Sequence, residues 1–249
     1  MILIAGPCVI EGQEMLEISV EKLLDAIKNK KIDFYFKSSF RKDNRTHVSG
    51  FSGIDPFKAI QLLNNIKKKY NVQICTDIHG IGDFEKYDLQ NVDVIQIPAF
   101  LAKQQSLLQR ASDFCDKYGL KLHIKKPQFV GPQDMLNIAN NVKTYGVKDI
   151  FLTDRGTMLG YDMVFMDPRH VGIMKKSGLP VLCDITHPNK NYPGDKLENI
   201  EILAKSYLAA GADGIFMETH PDCNNALCDA KTMLPIKDLN GFIQRIYDK

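Results

Sequence analysis

The feature that most constrains this chain of 249 residues is a rhythm of eight short runs rich in Val, Ile and Phe, at 2–8, 34–39, 72–78, 92–99, 121–127, 149–155, 180–186 and 214–220. Short apolar runs that alternate with longer stretches of helically spaced apolar residues mark βα units around a parallel sheet. Helices are expected at 13–29, 56–70, 103–118, 132–145, 196–210 and 236–248, several of them ended by Gly or Asn, residues that accept the left-handed turn closing a helix. Eight strands with eight following helices predict an α/β chain that closes into a single (β/α)8 TIM barrel over 1–249, because the length matches the ~250 residues of that fold and no Pro/Gly/Ser-rich linker interrupts the alternation. A doubly wound open sheet fits this pattern less well.

Composition removes several function classes. Apolar residues make up 44% and charged residues 25%, enough to bury a core without disulfides. The net charge of +2 arises from 32 basic and 30 acidic residues in mixed order, which provides no cationic stripe for a nucleic-acid backbone. The opening MILIAGPCVIEG has no basic segment before its apolar run and is broken by Gly6-Pro7 and Glu11, so it reads as a first strand rather than a signal peptide or membrane span. Six scattered cysteines without a secretory signal point to reduced thiols and a cytoplasmic location.

In a barrel of this type the active site is built from the C-terminal ends of the strands. Those ends carry Cys8, Lys37, Asp77, Gln96, Lys125 with Lys126, Asp154 with Arg155, Asp184 with His187, and Glu218 with His220. Any one of these alone is as easily a solvated loop residue; polar side chains at all eight ends, charged at six of them, are not the usual turn composition of Gly, Ser, Asn and Thr. Lys37, Lys42, Lys125 and Arg155 would bring positive charge to one mouth, where low-dielectric walls focus it on phosphorylated anions. Lys offers a point charge and Arg a planar fork, a mixture suited to a ligand bearing both phosphate and carboxylate.

A second constellation is softer. Cys8, His187, Glu218 and Asp229 together offer a thiolate, an imidazole and two carboxylates, a shell for a divalent ion such as Zn, Fe(II), Mn or Co. Cys8 by itself equally suits a small buried core position. A compact alternative cluster is His220, Cys223 and Cys228.

The segments AGPCVIE (5–11), FKSSFRKDNR (36–45), TDIH (76–79), DVIQIPAFLA (93–102), IKKPQF (124–129), LTDRG (152–156), GYD (160–162), IMKK (173–176), DITH (184–187) and METHPD (217–222) resemble the 3-deoxy-D-manno-octulosonate 8-phosphate synthases in order and spacing over nearly the whole chain. The related heptulosonate branch reads Lys-Pro-Arg-Thr-Ser where this chain has Lys37-Ser38-Ser39-Phe40, and Gly-Ala-Arg where it has Pro98-Ala99-Phe100. The resemblance implies a homotetrameric barrel that condenses phosphoenolpyruvate with arabinose 5-phosphate and water, and releases phosphate. It further implies that Lys37, Lys42, Lys125 and Arg155 hold phosphoenolpyruvate, with Gln96 and the backbone near Ala99 and Phe100 beside it. Asn44 and Asp77 would contact the sugar hydroxyls, and Arg45 of a neighbouring subunit, with Thr46 and Lys103, the sugar phosphate. Cys8, His187, Glu218 and Asp229 would hold the metal; relatives that need none carry Asn in place of the Cys.

Three departures fall on the sugar side: Thr46 to Gly50 replaces the usual Ser-Ser-Ile-His-Ser, Lys103 stands where Arg is expected, and the loop after His187 is short. Two rivals remain from other classes: a barrel that only binds, and a metal-dependent aldolase-type lyase.

Overall fold

The computed structural model describes residues 1–43, 49–160 and 163–247. Eight parallel strands form the wall: β1 (Ile2–Gly6), β2 (Asp33–Lys37), β3 (Gln73–Asp77), β4 (Val94–Ile97), β5 (Lys121–Lys125), β6 (Ile150–Asp154) and, beyond a hairpin of β7 (Thr157–Gly160) and β8 (Met163–Phe165), β9 (Val181–Asp184) and β10 (Gly214–His220). Each strand pairs with the next, β6 pairs with β9, and β1 pairs with β10, so the sheet closes. A two-residue β11 (Leu234–Pro235) pairs in parallel with Thr219 and His220 at the C-terminal end of β10. The barrel expected from the alternation is the one observed.

Side-chain alternation along the strands separates two apolar layers. Ile4, Tyr35, Cys75, Val94, Phe151, Leu182 and Phe216 fill the barrel interior, while neighbours such as Leu3, Phe36, Ile74, Ile95 and Leu122 face the helices. Every strand is therefore buried on both faces, which is why the runs read as nearly continuous apolar stretches.

The outer ring is α1 (Gln13–Ile27), α2 (Pro56–Tyr70), α3 (Asp83–Lys86), α4 (Gln105–Tyr118), α5 (Asp134–Thr144), α6 (Arg169–Met174), α7 (Lys196–Ala209) and α8 (Leu239–Tyr247). Local signals set several ends. Asp55 accepts a hydrogen bond from the Lys58 amide with Pro56 opening α2, Asp195 does the same for the Glu198 amide at α7, and Gly119 closes α4 in the left-handed region.

Two units depart from the expectation of eight full helices. After β3, the return is a four-residue α3 in a segment held as a loop: the Asp83 carboxylate accepts from the His79 amide (2.7 Å) and from Arg41 Nε and Nη2 (3.1 and 2.7 Å). After β6, the hairpin β7–β8 comes before a six-residue α6. Neither the hairpin nor β11 has a strong apolar run, so periodicity does not reveal them.

Closure of the barrel brings the backbones of β1 and β10 together at Gly214, which is paired with Ile2. A Cβ at Gly214 would lie 2.1 Å from the Ile2 carbonyl oxygen. We expect Gly214→Ala to cost about 3 kcal/mol or more by overpacking, lowering Tm by roughly 6 °C or more at this chain length. A thermal melt matching wild type would mean that the seam tolerates separation.

Candidate active site

One end of the barrel gathers the polar strand termini. Lys37, Asp77 and Lys125 end β2, β3 and β5; Gln96 lies next to the end of β4; Arg155 follows β6; His187 follows β9; Glu218 lies within the long β10. Together with Lys42, Pro98, Ala99 and Phe100 they line a single cavity. The sequence places six charged or imidazole side chains of this group, and the amide of Gln96, at strand ends or just beyond, and the register of the closed sheet makes them neighbours.

The electrostatic centre is Asp184, fully buried at the end of β9. Its Oδ2 lies 2.6 Å from Lys125 Nζ, 2.7 Å from His187 Nδ1 and 3.8 Å from Arg155 Nε. Its Oδ1 accepts the Thr186 and His187 amides at 3.2 and 3.1 Å. Burial raises the Asp184 carboxyl, but His187, Lys125 and Arg155 more than reverse this and hold it well below the usual carboxylate range.

The cations differ in character. Burial pushes Lys125 down to about 8; Asp184 offsets part of this, and nearby Arg155 adds to it. Lys125 Nζ also sits 3.5 Å from the centroid of the Phe216 ring, against its π-face. Lys42 moves the other way: burial lowers it, but Cys8, Asp77 and Glu218 raise it well above the ordinary value. Lys37 Nζ donates to Ser39 Oγ (3.0 Å) and the Cys8 carbonyl (3.3 Å), and lies 3.6 Å from Glu218. Arg155 stands over the Phe100 ring at 5.6 Å.

Asp77 faces Lys42 and His79, each at 3.7 Å. Burial raises its carboxyl, and Lys37, Lys42 and His79 outweigh that and keep it low. Buried Arg155 Nη1, Gln96 Oε1, Asp77 Oδ1 and Glu218 Oε2 have no hydrogen-bond partner. A buried polar atom left unpaired is costly, so this concentration at one mouth marks a place built to receive a polar ligand.

Beside the cations lie two overlapping sets of donor atoms. Cys8, Cys228 and Asp229 form one, and His187, Glu218 and Asp229 the other; within each, the donor atoms lie within 4.8 Å of one another. Donors at 2.0–2.3 Å around a tetrahedral zinc-like ion lie about 3.3–3.8 Å from one another, so both sets are on the scale of a divalent-ion shell. The orphaned Glu218 Oε2 fits the same reading. His187 Nε2 is 3.7 Å from Glu218 while its Nδ1 is backed by Asp184, the carboxylate support that orients a ligating imidazole.

Burial pushes the Cys8 thiol up, and Cys228 and Glu218 add to it; the thiol donates to Asp229 Oδ2 at 3.0 Å. Burial also raises the Asp229 carboxyl, but His187, Lys42 and the thiol hydrogen bonds reverse this and lower it.

Other residues singled out by sequence have different places. Lys126, fully buried, donates to the carbonyls of Pro127, Val130 and Gly156 at 3.2, 3.1 and 2.6 Å, so it braces the loops after β5 and β6. Asp154 accepts from Tyr207 Oη at 2.6 Å and contacts His170 Nδ1 at 3.0 Å; it ties the wall to the helices. His220 Nδ1 accepts the Asp222 amide, and Cys223 contacts the carbonyls of His220 and Met233. The cluster of His220, Cys223 and Cys228 is thus not assembled, and Cys228 belongs with Cys8. Lys103 is exposed and does not line the cavity. Asn44, Arg45 and Thr46 lie outside the described residues.

Sequence reasoning noted Asp184 as a strand end but assigned it no role, and it missed His79 and the placement of Cys228. The Asp-x-x-His spacing of Asp184 and His187 is the signal for the first. Cys228 immediately precedes a candidate ligand, yet adjacency in sequence does not say that two side chains converge.

Fold and mouth define a (β/α)8 enzyme with a cation-lined pocket against a set of candidate metal donors. The chain belongs to the DAHP synthetase I family, whose model matches residues 1–248. Among curated relatives, the 2-dehydro-3-deoxyphosphooctonate aldolase of Rickettsia canadensis (strain McKiel) is 37% identical, with 100% of this chain and 92% of that protein covered. The proteins of the same name from Rickettsia prowazekii (strain Madrid E) and Rickettsia felis (strain ATCC VR-1525 / URRWXCal2) are each 36% identical, with all of this chain and 91% and 92% of theirs covered.

Asp184→Asn would strand Lys125 and His187 beside a neutral amide. Removing one partner of a buried pair costs about 3–5 kcal/mol, a fall in Tm of roughly 6 °C or more. Scanning calorimetry with no change from wild type would show that the buried lysine does not depend on this carboxylate.

Proposed function

We propose that this chain joins phosphoenolpyruvate to D-arabinose 5-phosphate and water, forming 3-deoxy-D-manno-octulosonate 8-phosphate and inorganic phosphate for lipopolysaccharide synthesis. The observation that carries the reading is the delivery of Lys37, Lys42, Lys125 and Arg155 to one cavity that also contains His187 and Glu218. The deoxyphosphooctonate in the relatives' names supports the eight-carbon product. We read the protein as cytoplasmic, where thiols stay reduced, and as a homotetramer in which Arg45 reaches a neighbouring subunit's site. No helix among the described residues is long and apolar enough to cross a membrane.

In this reading Arg155, stacked on Phe100, grips phosphoenolpyruvate through its planar fork, and Lys37, Lys42 and Lys125 add point charges to its carboxylate and phosphate. The backbone at Ala99 and Phe100 and the Gln96 amide border the phosphate. Asp77, steadied by Lys42, faces the sugar hydroxyls with Asn44, and Arg45, Thr46 and Lys103 take the sugar phosphate.

The enol double bond supplies the electron pair for the new bond from C3 to the aldehyde carbon, whose oxygen takes a proton. Positive charge builds at C2, and water adds there as it loses a proton. The C2–O bond to the phosphate then breaks, leaving a ketone and inorganic phosphate. In this reading Asp184 and Glu218 offset positive charge developing near C2, and Lys125, with its depressed pKa, is suited to pass a proton near neutrality. A divalent ion (Zn, Fe(II), Mn or Co) held by Cys8, His187, Glu218 and Asp229 would supply Lewis acidity, either to the aldehyde oxygen or to water. His187 is then fixed by Asp184.

Phosphate release from phosphoenolpyruvate, measured against four-, five- and six-carbon aldose phosphates, should be fastest with arabinose 5-phosphate. It should vanish on chelation and in Cys8→Ala. Full activity with metal content confirmed absent would contradict the metal assignment, and no phosphoenolpyruvate consumption would favour an aldolase-type lyase.

The pH dependence follows from Lys125. Its charge is present below its folded pKa of about 8 and lost as pH rises through it, so kcat/KM for phosphoenolpyruvate should fall on the alkaline side of about 8. A profile flat across that pH would show that Lys125 does not titrate in the free enzyme.

A further inference from the structure

Cys8 and Cys228 stand 220 positions apart in the chain, yet their Sγ atoms lie 2.8 Å from each other. Both are buried, and no disulfide joins them. Asp229 Oδ2 is 3.0 Å from the first sulfur and 3.4 Å from the second. Three donor atoms therefore face one another in a small triangle.

The local backbone is arranged to make this happen. Adjacent residues in an extended chain point to opposite sides; Asp229 instead takes a left-handed φ of 47°, so its carboxylate and the Cys228 thiol approach the same point. The turn is fixed on both flanks: the Leu227 amide donates to Glu11 Oε1 at 3.0 Å, and the Asp229 carbonyl accepts from the Thr232 amide and hydroxyl at 2.9 and 3.0 Å. Glu11 lies just past Cys8, so the loop is tied to the segment that carries the other sulfur.

Simple packing accounts for part of the environment, since Val9 and Met233 pack with the two cysteines. It does not account for a carboxylate directed at both sulfurs, an arrangement that needs protons or a cation between the groups. We propose that Cys228 is a second sulfur ligand of the divalent ion, so that Cys8, Cys228 and Asp229 hold it from one side and His187 and Glu218 from the other. This rests on the metal reading given under Proposed function and adds a ligand to it.

Each thiol would release its proton to solvent as its sulfur binds. Two thiolates and two carboxylates exceed the charge of the ion by two; Lys37, 3.6 Å from Glu218, and Lys42, which Cys8 and Cys228 both raise, supply the balance. Paired sulfurs favour zinc, cobalt or iron(II) over the harder magnesium or manganese.

The test uses the full chain, stripped of metal, reduced with a phosphine and loaded with one equivalent of zinc. X-ray absorption at the zinc edge should show two sulfur neighbours at about 2.3 Å; one sulfur would overturn the proposal, whatever the behaviour of any variant. With cobalt, the sulfur-to-cobalt band in the near ultraviolet should fall by about half in Cys228→Ser and in Cys8→Ser, and disappear in the double variant. Zinc affinity of Cys228→Ser, by competition with a chromophoric chelator, should drop at least about tenfold. An unchanged band and affinity would reduce Cys228 to a neighbour of the site while leaving the metal reading intact. Wild-type protein that takes up neither zinc nor cobalt would overturn both.

Discussion

The carboxylate of Asp184 joins the two halves of the mouth. One oxygen reaches both Lys125 and His187, and the other is held by two backbone amides of the turn that follows β9. A buried lysine would ordinarily give up its proton, and an imidazole with no partner at its Nδ1 would be free to turn. With Asp184 between them, the cationic wall and the donor set take fixed positions relative to each other. The pairing of β9 with β6 and β10 places this carboxylate between Arg155 and Glu218, so the hub depends on barrel closure.

Charge is balanced locally across the mouth. Asp77 faces Lys42, Glu218 faces Lys37, and Asp184 faces Lys125 and Arg155. Arg155 keeps donor capacity for a ligand, since its guanidinium offers five N–H groups and its Nη1 has no protein partner. Phe216 and Phe100 supply apolar surface under Lys125 and Arg155. That combination strengthens electrostatic contact with an incoming anion while its fixed dipoles need little reorganisation.

Much of this was legible in the sequence, because a strand buried on both faces leaves a continuous apolar run and a barrel puts chemistry at the run's polar end. Lys37, Asp77, Gln96, Lys125, Arg155, His187 and Glu218 were found in that way, and all line one cavity. The pattern could not separate Lys125 from Lys126: alternation sends one into the mouth and the other out to brace loop carbonyls. Nor does an apolar rhythm report a short exposed hairpin such as β7–β8, or the left-handed turn at Asp229 that aims Cys228 at Cys8. Those features depend on backbone geometry and long-range contact. The sugar side, where the sequence departs most from the octulosonate synthases, falls largely at 44–48, outside the described residues.

The most direct test of the central claim, that one mouth holds phosphoenolpyruvate against a divalent ion, is a crystal structure of the zinc-loaded protein with phosphoenolpyruvate. The account predicts the ligand's phosphate and carboxylate among Lys37, Lys125 and Arg155, with zinc on Cys8, His187, Glu218 and Asp229 at the same end of the barrel. Phosphoenolpyruvate bound away from those three cations, or zinc bound away from those four donors, would contradict it.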